Sequence, residues 1–264
     1  MFYLRIIIAV IRTCHDAPRL IANRILHRMG LGFLAPSVTL ITLRNGMRFT
    51  TGSSKKLGGS DLFLIWEIWT KHSYFLEEKE DFKIHPGDTV LDVGANRGYF
   101  TCFASKQVEN GRVFSFEPSP ASFKLLTTNL QLNNIKNVTA ESKAVSSSEK
   151  TVDLFLSPGD DAGNSLYIKS DSKVSVPTVE LASYSQQHAI ERIDFLKIDC
   201  EGEEYVIFPA LPNSFWDIVD KISMEYHCID GKDPAELVQI LKDKNFQIFE
   251  FSDKYIKAKK NTSL

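Results

Sequence analysis

The residues of this 264-residue chain best suited to chemistry stand at the ends of short apolar runs. Asp92 falls in the run from Val90 to Val93, and Gly94, Asn96 and Gly98 follow it. A glycine turn at the carboxyl end of a strand lets a ligand approach the backbone closely. A dinucleotide pyrophosphate would require glycines spaced G-x-G-x-x-G, but Asn96 and Tyr99 hold the second and third of those positions. A carboxylate at Asp92 would also repel a phosphate and favour an ammonium or sulfonium group, which is what S-adenosylmethionine presents. Glu117 closes a second run, 25 residues after Asp92. There it can accept hydrogen bonds from both hydroxyls of an adenosine ribose. A nucleotide-linked oxidoreductase shares that ribose acid and is the alternative enzyme class.

Two further runs release a second set. Asp199, Glu201 and Glu204 surround Gly202, and Glu225 and His227 end the next run. In an open parallel sheet such ends converge on one crevice. Acids and a histidine there could supply a general base, a cation site, or hydrogen bonds to a polyhydroxylated acceptor. His227 is the first candidate for the base, because histidine titrates near neutrality; Glu201 and Asp199 come next. A divalent cation on Asp199, Glu201 and Glu225 would be another way to lower the acceptor's proton affinity, but the preferred reading assigns no metal. Any one of these residues could instead cap a helix or pair with Lys197 or Arg192. Residues 157–168 are polar and glycine-bearing, and Asp160, Asp161, Asn164 and Ser165 are candidate contacts to acceptor hydroxyls.

From residue 84 the pattern alternates short apolar runs with amphipathic stretches, which predicts an α/β fold with a parallel sheet and crossover helices. Strands are expected at 89–93, 113–117, 138–142, 195–199, 221–226 and 246–251, with 255–259 as a last edge strand. Helices are expected at 99–106, 121–132 and 235–245. Ser119-Pro120 and Asp233-Pro234 supply an N-cap and a first helical residue for the last two. An insertion of about fifty residues before the fourth strand carries strand-like segments at 152–156 and 174–179 and could wall a substrate site. Upstream, 37–52 reads as a hairpin with a type I′ turn at Asn45-Gly46, 51–60 as an exposed loop, and 61–79 as a docking helix. Trp66 and Trp69 read as core. These divide the chain into an extension (1–80) and a main domain (81–264).

Composition supports a globular enzyme: 43% hydrophobic, 24% charged, net charge −2. That balance lacks the basic excess of a nucleic-acid binder. Four separated cysteines form no CxxC pair and suggest neither a zinc site nor a disulfide framework, so a cytoplasmic setting is expected. Residues 1–34 differ from the rest, with five arginines against one acid around the apolar run 6–11. The run is too short to span a bilayer. The preferred reading is a helix packed on the main domain; peripheral contact with an anionic membrane is the other. On that second reading the protein could even be a catalytically silent scaffold recruited to membranes or partners.

The segments VLDVGANRGYF, FSFEPSP, DFLKIDCEGEE and the run ending in MEYH together resemble the FkbM family of S-adenosylmethionine-dependent methyltransferases, over roughly residues 37–230. The glycine turn is common to many methyltransferases, whereas DCEGEE at this distance from FEP is much more selective. The resemblance implies a class I (Rossmann-like) methyltransferase fold, mostly parallel, with seven strands of which the last is antiparallel and helices on both faces; the helical and hairpin extension before it is read from the residues. It implies O-methylation of a sugar, glycan or polyketide-like hydroxyl. By motif position it assigns Asp92, Gly94, Asn96, Gly98 and Glu117 to the cofactor. It places Asp199, Glu201, Gly202 and Glu204 near the reacting centre, and likens Asp61, Glu67 and Tyr74 to the family's preceding helix. Residues 1–36 lie outside it.

Overall fold

A computed structural model of the chain describes residues 2–35, 39–51, 59–76, 78–157, 165, 166 and 170–261. It opens with two helices, α1 (Phe2–Thr13) and α2 (Ala17–Arg28), then a short hairpin of β1 (Leu40–Thr42) and β2 (Arg48–Thr50), then α3 (Gly59–Trp69). The hairpin turn is not type I′. Leu43 N donates to Met47 O (2.7 Å) and Gly46 N to Leu43 O (3.0 Å), and of the Asn45-Gly46 pair only Gly46 has positive φ (87°). That is a three-residue loop with a glycine bulge. The helix expected at 61–79 ends ten residues early. His72 adopts φ 51°, and Ser73 N donates to Glu67 O (2.9 Å), which folds Tyr74 and Phe75 back into the core.

The main sheet follows: β3 (Thr89–Val93), α4 (Tyr99–Gln107), β4 (Arg112–Phe116), α5 (Pro120–Leu132) and β5 (Val138–Glu141). The insertion then forms a separate three-stranded sheet from β6 (Ala144–Val145), β7 (Thr151–Phe155) and β8 (Lys173–Val179), with β8 in the middle. After α6 (Leu181–Gln187) come β9 (Ile193–Ile198), α7 (Glu204–Ala210), α8 (Asn213–Asp217), β10 (Val219–Glu225), α9 (Pro234–Asp243), β11 (Phe246–Phe251) and β12 (Tyr255–Lys260). The expected caps form: Ser119 accepts from Ser122 N, and Asp233 from Ala235 N.

The seven strands are ordered β11-β12-β10-β9-β3-β4-β5, and β12 alone runs antiparallel to its neighbours. The expectation of an edge strand at 255–259 is corrected: β12 lies between β10 and β11, and β11 is the edge. Burial explains the exchange. Tyr255 to Ala258 are all buried, as an inner strand requires, whereas β11 is mostly half-exposed. All six residues of β9 are buried, marking the centre of the sheet.

Val90, Val113 and Phe195 face a cluster that also contains Val10 and Leu20 from the first helices, Phe49 from the hairpin and Ile65 from α3. Phe49 stacks on Tyr99 with ring centroids 4.4 Å apart. Leu91, Phe114 and Leu196 face the other side. The first helices, the hairpin and α3 thus share a core with the sheet. The chain winds outward from β3 in one direction to β5, then returns to β9 and winds the other way. The connections leaving β3 and β9 therefore run in opposite directions, and a crevice opens at the carboxyl ends of these strands.

Candidate functional site

The turn from β3 into α4 is held by three left-handed residues, Gly94 (φ 77°), Asn96 (φ 50°) and Gly98 (φ 81°). Each glycine answers a contact. A Cβ on Gly94 would lie 1.7 Å from the carbonyl oxygen of Asp199, and one on Gly98 would lie 2.4 Å from Leu126. Gly94 is thus needed where the loops after β3 and β9 pass each other, and Gly98 where α5 packs on the start of α4. Gly94 N and Ala95 N donate to Phe116 O (3.0 and 2.9 Å), tying this turn to the end of β4.

That brings Glu117 to the turn. Its carboxylate accepts from Asn96 N (2.7 Å) and Ser119 N (2.8 Å), and it is 7% exposed. Burial pushes its pKa up to about 7, although the two backbone donors pull the other way. Gly94, Asn96 and Glu117 line a cavity at the strand ends. Asp92 and Gly98 are not on that lining. Asp92 is fully buried; its Oδ2 accepts from Thr101 Oγ1 (2.6 Å) and its Oδ1 lies 3.2 Å from Lys197 Nζ. The carboxylate expected to face an onium group therefore lies behind the cavity wall and faces a lysine, Lys197, that lines it. The reason is register: Asp92 pairs with Lys197 across β3 and β9.

Lys197, which the sequence suggests only as an ion-pair partner for the acids of the second set, also pairs with Asp92. It is 3% exposed in the central strand, donates to Gly94 O (2.7 Å) and Val93 O (3.3 Å), and lies 3.7 Å from Asp199. Burial alone would lower its pKa, but Asp92 and Asp199 outweigh burial and raise it. A lysine within the otherwise apolar run before Asp199 was the available signal, since a buried cation needs a partner. Lys254, which also lines the cavity, carried no such signal: it reaches Glu67 and Glu225 (both 3.0 Å) only because β12 is inserted beside β10.

The second set does gather at the end of β9 and β10. Tyr74 donates its hydroxyl to Asp199 Oδ2 (3.0 Å). His227 Nε2 lies 3.8 Å from Asp199 and 3.5 Å from Glu201, and its Nδ1 donates to Glu204 Oε1 (2.9 Å). Burial on its own would lower the His227 pKa, but the hydrogen bond to Glu204 and the three carboxylates raise it to about 9. Asp199, Glu201 and Glu225 line the cavity; His227 and Glu204 stand behind them. Burial pushes Glu201 up to about 7, opposed by His227. Glu225 rises to about 7 for the same reason, with Asp199 adding and Lys254 opposing. The raised value favours the protonated imidazole at neutral pH. Asp199, Glu201 and His227 each offer one donor atom, all within 4.8 Å of one another, close enough to share a cation.

The insertion does wall the site: Ala144, Val145, Leu154 and Leu166 line the cavity. Ser165 donates to Glu201 O (2.9 Å). Asp160, Asp161 and Asn164 lie outside the described residues. Among the described residues the lining carries six carboxylates (Glu67, Glu117, Asp199, Glu201, Glu203 and Glu225) against two lysines. Such a pocket suits a cationic guest and repels a diphosphate.

A seven-stranded sheet with one antiparallel strand, a glycine turn after β3 and an acid closing β4 define a class I S-adenosylmethionine-dependent methyltransferase. The chain belongs to the FkbM family: the model of the methyltransferase FkbM domain matches residues 92–248. It is 25% identical over 225 residues to the 31-O-demethyl-FK506 methyltransferase FkbM of Streptomyces tacrolimicus, covering 74% of this chain and 85% of that protein. It is also 25% identical over 169 residues to the hexuronic acid methyltransferase AglP of Haloferax volcanii, covering 64% and 65%. The crystal structure of a methyltransferase FkbM from Methylobacillus flagellatus superposes with a TM-score of 0.51 at 15% identity, over 71% of this chain and 47% of that one.

Proposed function

We propose that the protein transfers the methyl group of S-adenosylmethionine to a hydroxyl of a sugar, glycan or related polyhydroxylated metabolite. The observation that carries this reading is the carboxylate rim past the strand ends, where Glu67, Asp199, Glu201 and Glu225 border one cavity. Carboxylates accept hydrogen bonds, so they select an acceptor rich in hydroxyl donors. Two relatives point the same way by name, one acting at an oxygen and one on a hexuronic acid.

The cofactor supplies a methyl group made electrophilic by the adjacent sulfonium. Glu117 would accept hydrogen bonds from the ribose hydroxyls, and Gly94 and Asn96 would give the backbone edge beside them. Asp92 acts from beneath, holding Lys197 against the carbonyls of Val93 and Gly94 and so fixing the turn. Glu201, poised near neutrality, takes the acceptor's proton, with Asp199 held by Tyr74 beside it. His227 is a positioning residue: beside Glu201 and Asp199, it opposes the burial that raises the Glu201 pKa. Alignment of the acceptor contributes the remainder.

The test incubates the protein with methyl-labelled S-adenosylmethionine and, separately, hexuronic-acid glycans, neutral glycans and a macrolide alcohol, followed by mass spectrometry. A base-stable methyl ether in any of them supports the reading. Label found only on nitrogen, sulfur or as a base-labile carboxyl ester overturns it.

A further inference from the structure

We infer that the first two helices and the turn after them form a second docking face, one that seats the protein on an anionic lipid bilayer. Eight large apolar side chains are exposed among the described residues, and six of them are Ile8, Ile11, Ile25, Met29, Phe33 and Leu34. Packing of the helices does not use these six. α1 buries Ile6 and Val10 against the core, while Ile8 and Ile11, one turn apart, look outward; α2 buries Ala17 and Leu20 and leaves out Ile25, with Met29 exposed just past its end. The short 3₁₀ turn Gly32–Leu34 buries nothing, and its tip projects Phe33 and Leu34 at 81% and 60% exposure. α1 packs on α2 and α2 on this turn, so the six belong to neighbouring elements.

Charge identifies the occupant. Residues 1–34 carry a net +4, and the remaining 230 residues carry −6. Arg5, Arg12 and Arg19 are exposed on the same helices as the apolar side chains. A bilayer surface with anionic headgroups offers phosphates and acyl chains side by side, which is the combination that arginines beside aliphatic and aromatic side chains take up. The acidic remainder is repelled by the same surface, so the molecule docks by this face. No helix among the described residues is long and apolar enough to cross a membrane, so the contact is peripheral. The face is joined to the site: α1 packs on α3, Thr13 and Thr70 share a hydrogen bond (3.1 Å), and Phe63 and Glu67 of α3 line the cavity. The inference does not depend on which acceptor is methylated.

The test is co-sedimentation of the full chain with vesicles of phosphatidylcholine alone and of phosphatidylcholine mixed with phosphatidylglycerol. The protein is expected to pellet with the anionic vesicles, less so as salt is raised. Phe33→Ser with Leu34→Ser should lower the partition coefficient at least tenfold, and Arg5→Gln and Arg12→Gln about fivefold each. All four positions are exposed, so the thermal transition should stay in place, and that measurement separates lost docking from lost folding. Wild type remaining in the supernatant with anionic vesicles overturns the inference. So does a Phe33/Leu34 variant that partitions like wild type. A dimer in sedimentation velocity that this variant dissociates, with no vesicle binding, would make the face a contact between copies and would equally overturn it.

Discussion

At the scale of single residues, the site turns on where protons rest. On the proposed reading Glu117 would have to be ionised to accept two ribose hydroxyls, and burial pushes its pKa up to about 7. Cofactor affinity should therefore weaken as pH falls from 8 to 6. Glu117→Gln should weaken it by about 1–3 kcal/mol and remove that pH dependence, as titration calorimetry at the two pH values would measure. Glu201→Gln should lower kcat about a hundredfold while leaving cofactor affinity unchanged, which single-turnover kinetics beside calorimetry would separate. His227 offers a stability readout. Its imidazole holds a proton more tightly in the folded protein, with a pKa of about 9, than at its ordinary value of 6.5. Its contribution is thus complete below pH 6.5 and disappears as pH rises through 9. Urea unfolding should show a loss of about 2 kcal/mol across that window, smaller in His227→Gln.

At the scale of elements, two glycines with the same φ separate backbone strain from crowding. Gly94 and Gly231 both have φ 77°. A Cβ on Gly231 meets open space, whereas one on Gly94 would lie 1.7 Å from the backbone oxygen of Asp199. Gly231→Ala should cost about 1 kcal/mol, the price of left-handed backbone for alanine. Gly94→Ala should cost about 3 kcal/mol or more, because the loops after β3 and β9 must also part. Differential scanning calorimetry of the two variants tests this. If they were equal, the close approach of the two loops would not be a constraint on the site.

At the scale of the whole molecule, the N-terminal helices and the sheet should melt together. Leu20 is fully buried in the cluster that includes Val90 and Phe195. Leu20→Ala should therefore lower a single thermal transition by an amount equal to about 3 kcal/mol, instead of splitting off an early one. Two resolved transitions in calorimetry would show the extension folding apart from the sheet.

Local pattern was enough for much of this protein. Ranges close to all seven strands, the caps at Ser119 and Asp233 and the glycine turn after β3 were legible because strand periodicity, capping chemistry and left-handed turns are encoded by neighbouring residues. The acids that gather at the cavity were legible as strand ends. What local pattern could not supply was which groups meet. Asp92 reads as a cavity carboxylate until its pairing with Lys197 turns it inward. The three carboxylates around His227 are not legible along the chain, and Lys254 reads as nothing until β12 is placed beside β10. The helix at 61–79 stops early for the same reason, since Tyr74 gains more by folding back onto the core and Asp199 than by extending a helix. Sequence alone determined the elements and the chemistry available at their ends. Tertiary structure decided each group's partner and charge, because desolvation and Coulomb interaction depend on distance in space and not along the chain.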